Sequence, residues 1–194
     1  MRPCRVLTGV LGVLGVLVLA GCANTTSARS AAQLPDDGSV HVSETFAAPP
    51  GIAVTYDEEL VPAGARGAVQ ARSADGTTTV MLAVRGLEPL RWYGAHVHTE
   101  PCGQRPEDSG PHFQLSVDPM QPSIDPTYAN PQNEIWLDFM TDEAGAGSTE
   151  STVAWELPDD RRPGSVVVHT MGTASGPGEA GTAGARAACI TVDF

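Results

Sequence analysis

Beyond residue 51 the chain never sustains a helical period. Its apolar residues fall in short runs separated by Gly, Pro and Asp clusters, the pattern of strands and turns rather than of a helical bundle. Eight segments have this character: 52–58, 66–73, 77–86, 92–99, 134–141, 149–157, 165–170 and 185–193. Core candidates alternate with outward positions, as in Val80, Leu82 and Val84, or Val166 and Val168. That is the two-residue period of a half-buried strand. The pattern predicts an all-β sandwich or barrel over 51–194, a length that can bury one core. Residues 100–133 stand apart. Pro101, Pro106, Pro111, Pro119, Pro122, Pro126 and Pro131 make them one long loop. A loop of that length holding both a cysteine and a histidine is expected to carry function.

The N-terminal part has a different character. Met1, Arg2 and Arg5 precede an apolar run from Val6 to Ala20, too short for a spanning helix, which needs roughly 20 apolar residues, but suited to a signal. The run ends Leu19-Ala20-Gly21-Cys22, which resembles the bacterial lipobox, so 1–21 read as a signal peptide and Cys22 as the lipidated first residue of an exported protein anchored outside the cytoplasmic membrane. Residues 22–50 read as a flexible tether, rich in Ser, Thr, Ala, Asp and Pro. His41 in this stretch is either a solvated linker histidine or an accessory ligand that captures a metal ion. With Arg2 and Arg5 removed, nine basic residues face 23 acidic ones, a charge of −14, and the chain has no lysine. This balance argues against nucleic acid as a partner, because affinity for nucleic acid comes largely from Lys and Arg on phosphates. Cys4 leaves with the signal and Cys22 takes the lipid. Cys102 and Cys189 remain in an oxidising compartment, where a disulfide is the natural reading.

The strongest local signal for chemistry is Gly94-Ala95-His96-Val97-His98. On a strand, residues i and i+2 share a face, and two imidazoles on one face can chelate a borderline metal such as copper or zinc. His112 follows in the long loop as Gly110-Pro111-His112-Phe113, and His169 ends Val166-Val167-Val168-His169. Near the C-terminus comes Gly181-Thr182-Ala183-Gly184-Ala185-Arg186-Ala187-Ala188-Cys189.

Taken in order, H-V-H, Cys, G-P-H-F, V-V-H and G-x-A-G-x-R-x-A-C resemble the Cu,Zn superoxide dismutase family over roughly residues 52–194. The resemblance implies an eight-stranded Greek-key β-sandwich or barrel. It implies that His96, His98, His112 and His169 hold copper, that Arg186 attracts and positions the superoxide anion, and that Cys102 and Cys189 form the intradomain disulfide. The sequence also departs from the family. His112 matches the histidine that bridges copper to zinc there, yet residues 113–140 contain no further histidine. Zinc prefers four N, S or O ligands, so the resemblance is to a copper-only branch with zinc absent. Glu134 falls near the family's zinc aspartate. It is the first candidate to occupy the second ring nitrogen of His112, and Asp125 is the second. Between His169 and Arg186 the only charge is Glu179, so the family's charged guidance loop is reduced. The function expected is dismutation of superoxide to oxygen and hydrogen peroxide by histidine-bound copper. The alternative is a copper-buffering lipoprotein without catalysis, in which Arg186 has no purpose.

Overall fold

The computed structural model describes residues 39–194. The segment 1–21 expected to be a signal, the expected lipidation site Cys22 and the first part of the expected tether lie outside the described residues. The fold is nearly all β, with antiparallel sheets and one 3-10 turn, Pro106–Ser109. The strands are β1 (Ser39–Thr45), β2 (Ala53–Thr55), β3 (Arg66–Ala74), β4 (Thr77–Arg85), β5 (Trp92–Tyr93), β6 (Ala95–His98), β7 (Phe139–Met140), β8 (Gly147–Val153), β9 (Ser165–His169) and β10 (Arg186–Thr191). They form a sheet of order β1-β3-β4-β8, a second of order β2-β10-β9-β6 and a small β5-β7 pair. The sheets face each other as a sandwich and do not close into a barrel.

Three details differ from the sequence reading. The tether does not extend to residue 50, because Ser39–Thr45 pairs with β3 along its whole length, from Ser39↔Arg72 to Thr45↔Arg66. Val40 and Val42 pack against the core, which ties this short alternating segment to the domain. The predicted strand 92–99 breaks at Gly94, where a Cβ would lie 2.7 Å from both Ala183 Cβ and Met171 O. The predicted strand 134–141 shrinks to Phe139–Met140, preceded by isolated bridges at Glu134 and Trp136.

Elsewhere local chemistry and register agree. Ala74 pairs with Thr77, which leaves Asp75-Gly76 as a two-residue hairpin loop. Both have positive φ, 56° and 78°, as a type I′ turn requires. Along β4, Thr78, Val80, Leu82 and Val84 are buried and their neighbours are not. The second sheet is buried on both faces. Val166 and Val168 enter the main core between the sheets, whereas Val167 packs with Val54 and Cys189 on the outer face, against Tyr56 and Cys102. His96 pairs with Val167 and His98 with Ser165. His96, His98 and His169 therefore all project from that outer face, under the long loops.

Candidate metal centre

Alternation around buried anchors brings the side chains together. Phe113 and Val97 sit in the core, the Phe113 N–H donates to Val97 O (2.9 Å), and His112 bridges to His98. Burying Phe113 thus turns its neighbour His112 toward the outer face. Ile135 and Leu137 are likewise core residues, so Glu134, Trp136 and Asp138 share the opposite side. Arg186 pairs with His169 beside a register shift in β10.

The four histidines offer ligand atoms that all lie within 4.8 Å of one another. The hydrogen bonds decide which atoms these are. His112 Nδ1–H donates to Glu134 Oε2 (2.9 Å), which leaves its Nε2 lone pair. His98 Nδ1–H donates to Gly110 O (2.9 Å), and His169 Nδ1–H makes a longer bond to Gly184 O (3.4 Å). The Nε2 atoms of His98 and His169 then face each other at 3.3 Å with two lone pairs and no proton between them. His96 is turned the other way. Thr173 Oγ1–H donates to Asp138 Oδ1 (2.6 Å), so the hydroxyl must accept from His96 Nε2–H (2.8 Å). His96 Nδ1 keeps the lone pair, and it is a fully buried atom with no hydrogen-bond partner. A buried acceptor left without a donor is costly, and so are two lone pairs pressed together. A cation among the four nitrogens would remove both costs, so the residues present fit a bound metal.

Electrostatics act in the same direction. Burial, followed by charge on the neighbouring histidines, holds His96 and His98 well below the ordinary histidine range. Burial and then His112 bring His169 down to about 3. These rings are neutral near pH 7, the form a metal needs. The donor set contains imidazole and no thiolate, which suits copper and zinc.

The carboxylate beside His112 is fully buried and saturated. Glu134 Oε2 also accepts from Trp136 Nε1 (2.6 Å), and Oε1 accepts from Gln114 Nε2 (2.7 Å). The Trp136 ring meets His96 edge-on at 5.9 Å. Asp125 instead caps its own turn at Thr127 N and does not reach His112. His41 is an exposed residue of β1 opposite Gln70 and is not part of the four-histidine group. Trp136, Asp138 and Thr173 were not found from sequence. The alternation Glu134, Trp136, Asp138 around Ile135 and Leu137 would have indicated the first two, but nothing local marks Thr173.

Arg186 is half-buried, and burial pulls its pKa below the usual arginine value. Its Nη1 donates to Pro106 O (2.7 Å) and Ser109 Oγ (2.8 Å), and its Nη2 to Gly110 O (2.6 Å). The same loop is fixed to β10 by the Cys102–Cys189 disulfide and by Cys102 N–H donating to Thr191 Oγ1 (3.0 Å). The guanidinium and the loop that presents Gly110 O to His98 therefore hold each other in place. Arg186, His112 and His169 line one cavity of about 540 Å³.

No protein-family model matches the chain, and no curated protein does. Among solved structures the chain is similar to the Cu/Zn superoxide dismutase from Brucella abortus, with a TM-score of 0.52 and 19% identity over 79% of this chain and 100% of that one. At that identity the likeness shows the fold.

Proposed function

We propose that the chain is a copper-dependent superoxide dismutase that works without zinc, anchored by lipid at Cys22 outside the bacterial cytoplasmic membrane. The observation that carries this reading is the convergence of four imidazole lone pairs, one of them the orphaned His96 Nδ1, beside a fixed guanidinium. His96 through Nδ1, and His98, His112 and His169 through Nε2, would hold the ion. Copper supplies the one-electron exchange by which two superoxide anions and two protons become oxygen and hydrogen peroxide.

The chain's own residues do the rest. Arg186 stays charged at any working pH and offers a small anion hydrogen bonds at the cavity wall. Its ties to Pro106 O and Gly110 O fix that charge before the anion arrives, so no reorganisation is needed. Glu134 keeps the His112 ring oriented through Nδ1. Whenever Nε2 is not holding the ion, its lone pair would be free to take a proton and hand it to a departing peroxide. Glu134 occupies the His112 nitrogen that a zinc ion would need, which supports a single-metal site.

Arg186→Glu distinguishes this function from copper storage. The variant should keep its copper, because the residue is not a ligand and the Cys102–Cys189 disulfide still ties the loop that carries Gly110 to β10, and lose most of its dismutation. Equal activity in the two proteins would favour a copper-buffering role. Cys22→Ala tests the anchor. It should release the protein from the membrane fraction, and a variant that stays membrane-bound with its signal removed would refute lipidation.

A further inference from the structure

The cavity beside the histidines is much larger than a two-atom anion needs. Its volume is about 540 Å³, within the roughly 300–1,000 Å³ of small-molecule sites, whereas one water takes about 30 Å³. Its walls are unlike those of a charged funnel. Pro111, Pro122, Ile124 and Ala183 supply apolar surface. Two of the polar lining groups are engaged within the wall, with Gln114 Nε2 donating to Ser123 Oγ (3.0 Å) and Ser123 Oγ to Asp118 Oδ2 (2.7 Å). Glu134 is covered by three donors. Gly178 N–H donates to Ile124 O (3.2 Å), which joins the two loops and fixes the apolar wall. Among the described residues Arg186 is the one arginine that lines the cavity. A guanidinium has five N–H donors, of which three are used. Two remain, the number a carboxylate accepts from a guanidinium.

We propose that this cavity binds small organic carboxylates, with the carboxylate on Arg186 and a ring or branched chain against Ile124 and Pro122. Such a ligand would occupy the guanidinium that a smaller anion needs and so would compete with it. The inference needs no metal and stands apart from the redox reading.

The test uses the full chain, metal-free, at fixed ionic strength. Benzoate and acetate carry the same charge and differ in the apolar body. Titration calorimetry should show benzoate binding at least tenfold tighter than acetate, equivalent to about 1.4 kcal/mol. Amide shifts in NMR spectra should centre on Ile124 and Gly184. Ile124 is partly exposed, so Ile124→Ser should fold normally, and it should bring the benzoate-to-acetate ratio toward one. Arg186→Gln should abolish both affinities. Benzoate binding no tighter than acetate, or an unchanged ratio in Ile124→Ser, would overturn the proposal. A chain that selects benzoate yet shows no dismutation would retain this inference and refute the catalytic one.

Discussion

Glu134→Gln keeps the shape of a buried side chain and removes its charge, and the structure allows the cost to be worked out. Glu134 Oε2 accepts from His112 Nδ1 and Trp136 Nε1, and Oε1 accepts from Gln114 Nε2. A glutamine has one acceptor oxygen. With that oxygen kept on His112 and Trp136, the new amide N–H₂ faces the N–H₂ of Gln114. Gln114 can flip, but its Oε1 already accepts from Asp118 N at 2.9 Å, so the conflict moves and does not vanish. One buried donor is left unpaired, at a cost of about 1–3 kcal/mol. The bond to His112 also loses its ionic character, roughly another 1 kcal/mol. Together these should lower the melting temperature by roughly 4–16 °C. Copper should stay, since all four ring nitrogens remain. Dismutation should fall, most at high pH where protons are scarce. Calorimetry, copper content and the rate from pH 6 to 10 would be measured on the same preparation. A variant with unchanged melting and an unchanged pH profile would refute the reasoning.

Three further outcomes follow from the geometry. Cys102→Ser removes the link between β10 and the loop that carries Gly110, and should cost about 2–5 kcal/mol, read as a lower denaturant midpoint under non-reducing conditions. Metal-free protein should lose stability as pH falls from 6.5 toward 3. His96, His98 and His169 are held neutral in the fold, so over that window the unfolded chain binds more protons and stability declines with falling pH. The ceiling is about 2 kcal/mol per histidine between pH 7.5 and 5, and a melting temperature at pH 5 equal to that at pH 7.5 would contradict it. Trp136, edge-on to His96, should account for most of the copper-dependent quenching of tryptophan fluorescence, so Trp136→Phe should remove most of that quenching while copper still binds. Quenching of equal size in Trp136→Phe would assign it to Trp92 or Trp155.

Much of the site was legible because strand alternation is local. His96 and His98 share a face by spacing alone, and Val166-Val167-Val168-His169 announces a strand whose last residue emerges at an end. The Glu134–His112 pairing could be anticipated because an imidazole bound on one side needs a partner on the other. The Thr173–Asp138 pair was not legible, since the two residues are 35 apart in sequence and meet only when the 170–185 loop folds over β6. Strand β1 was missed because Ser39–Thr45 holds just two apolar residues, and their burial depends on β3. The loop 100–133 was read as one long connection. Its disulfide to β10 was expected from the two cysteines, but its ties to Arg186 and its bridge to β6 have no periodic signature.

Metal analysis and a dismutation assay on one sample of the full chain, offered copper and zinc together, test the central claim most directly. The four-histidine site with Glu134 on His112 predicts about one copper per chain, no stoichiometric zinc, and dismutation that disappears when the copper is removed and returns when it is restored. One tightly held zinc per chain would contradict the single-metal reading, and copper-loaded protein without dismutation would contradict the proposed function.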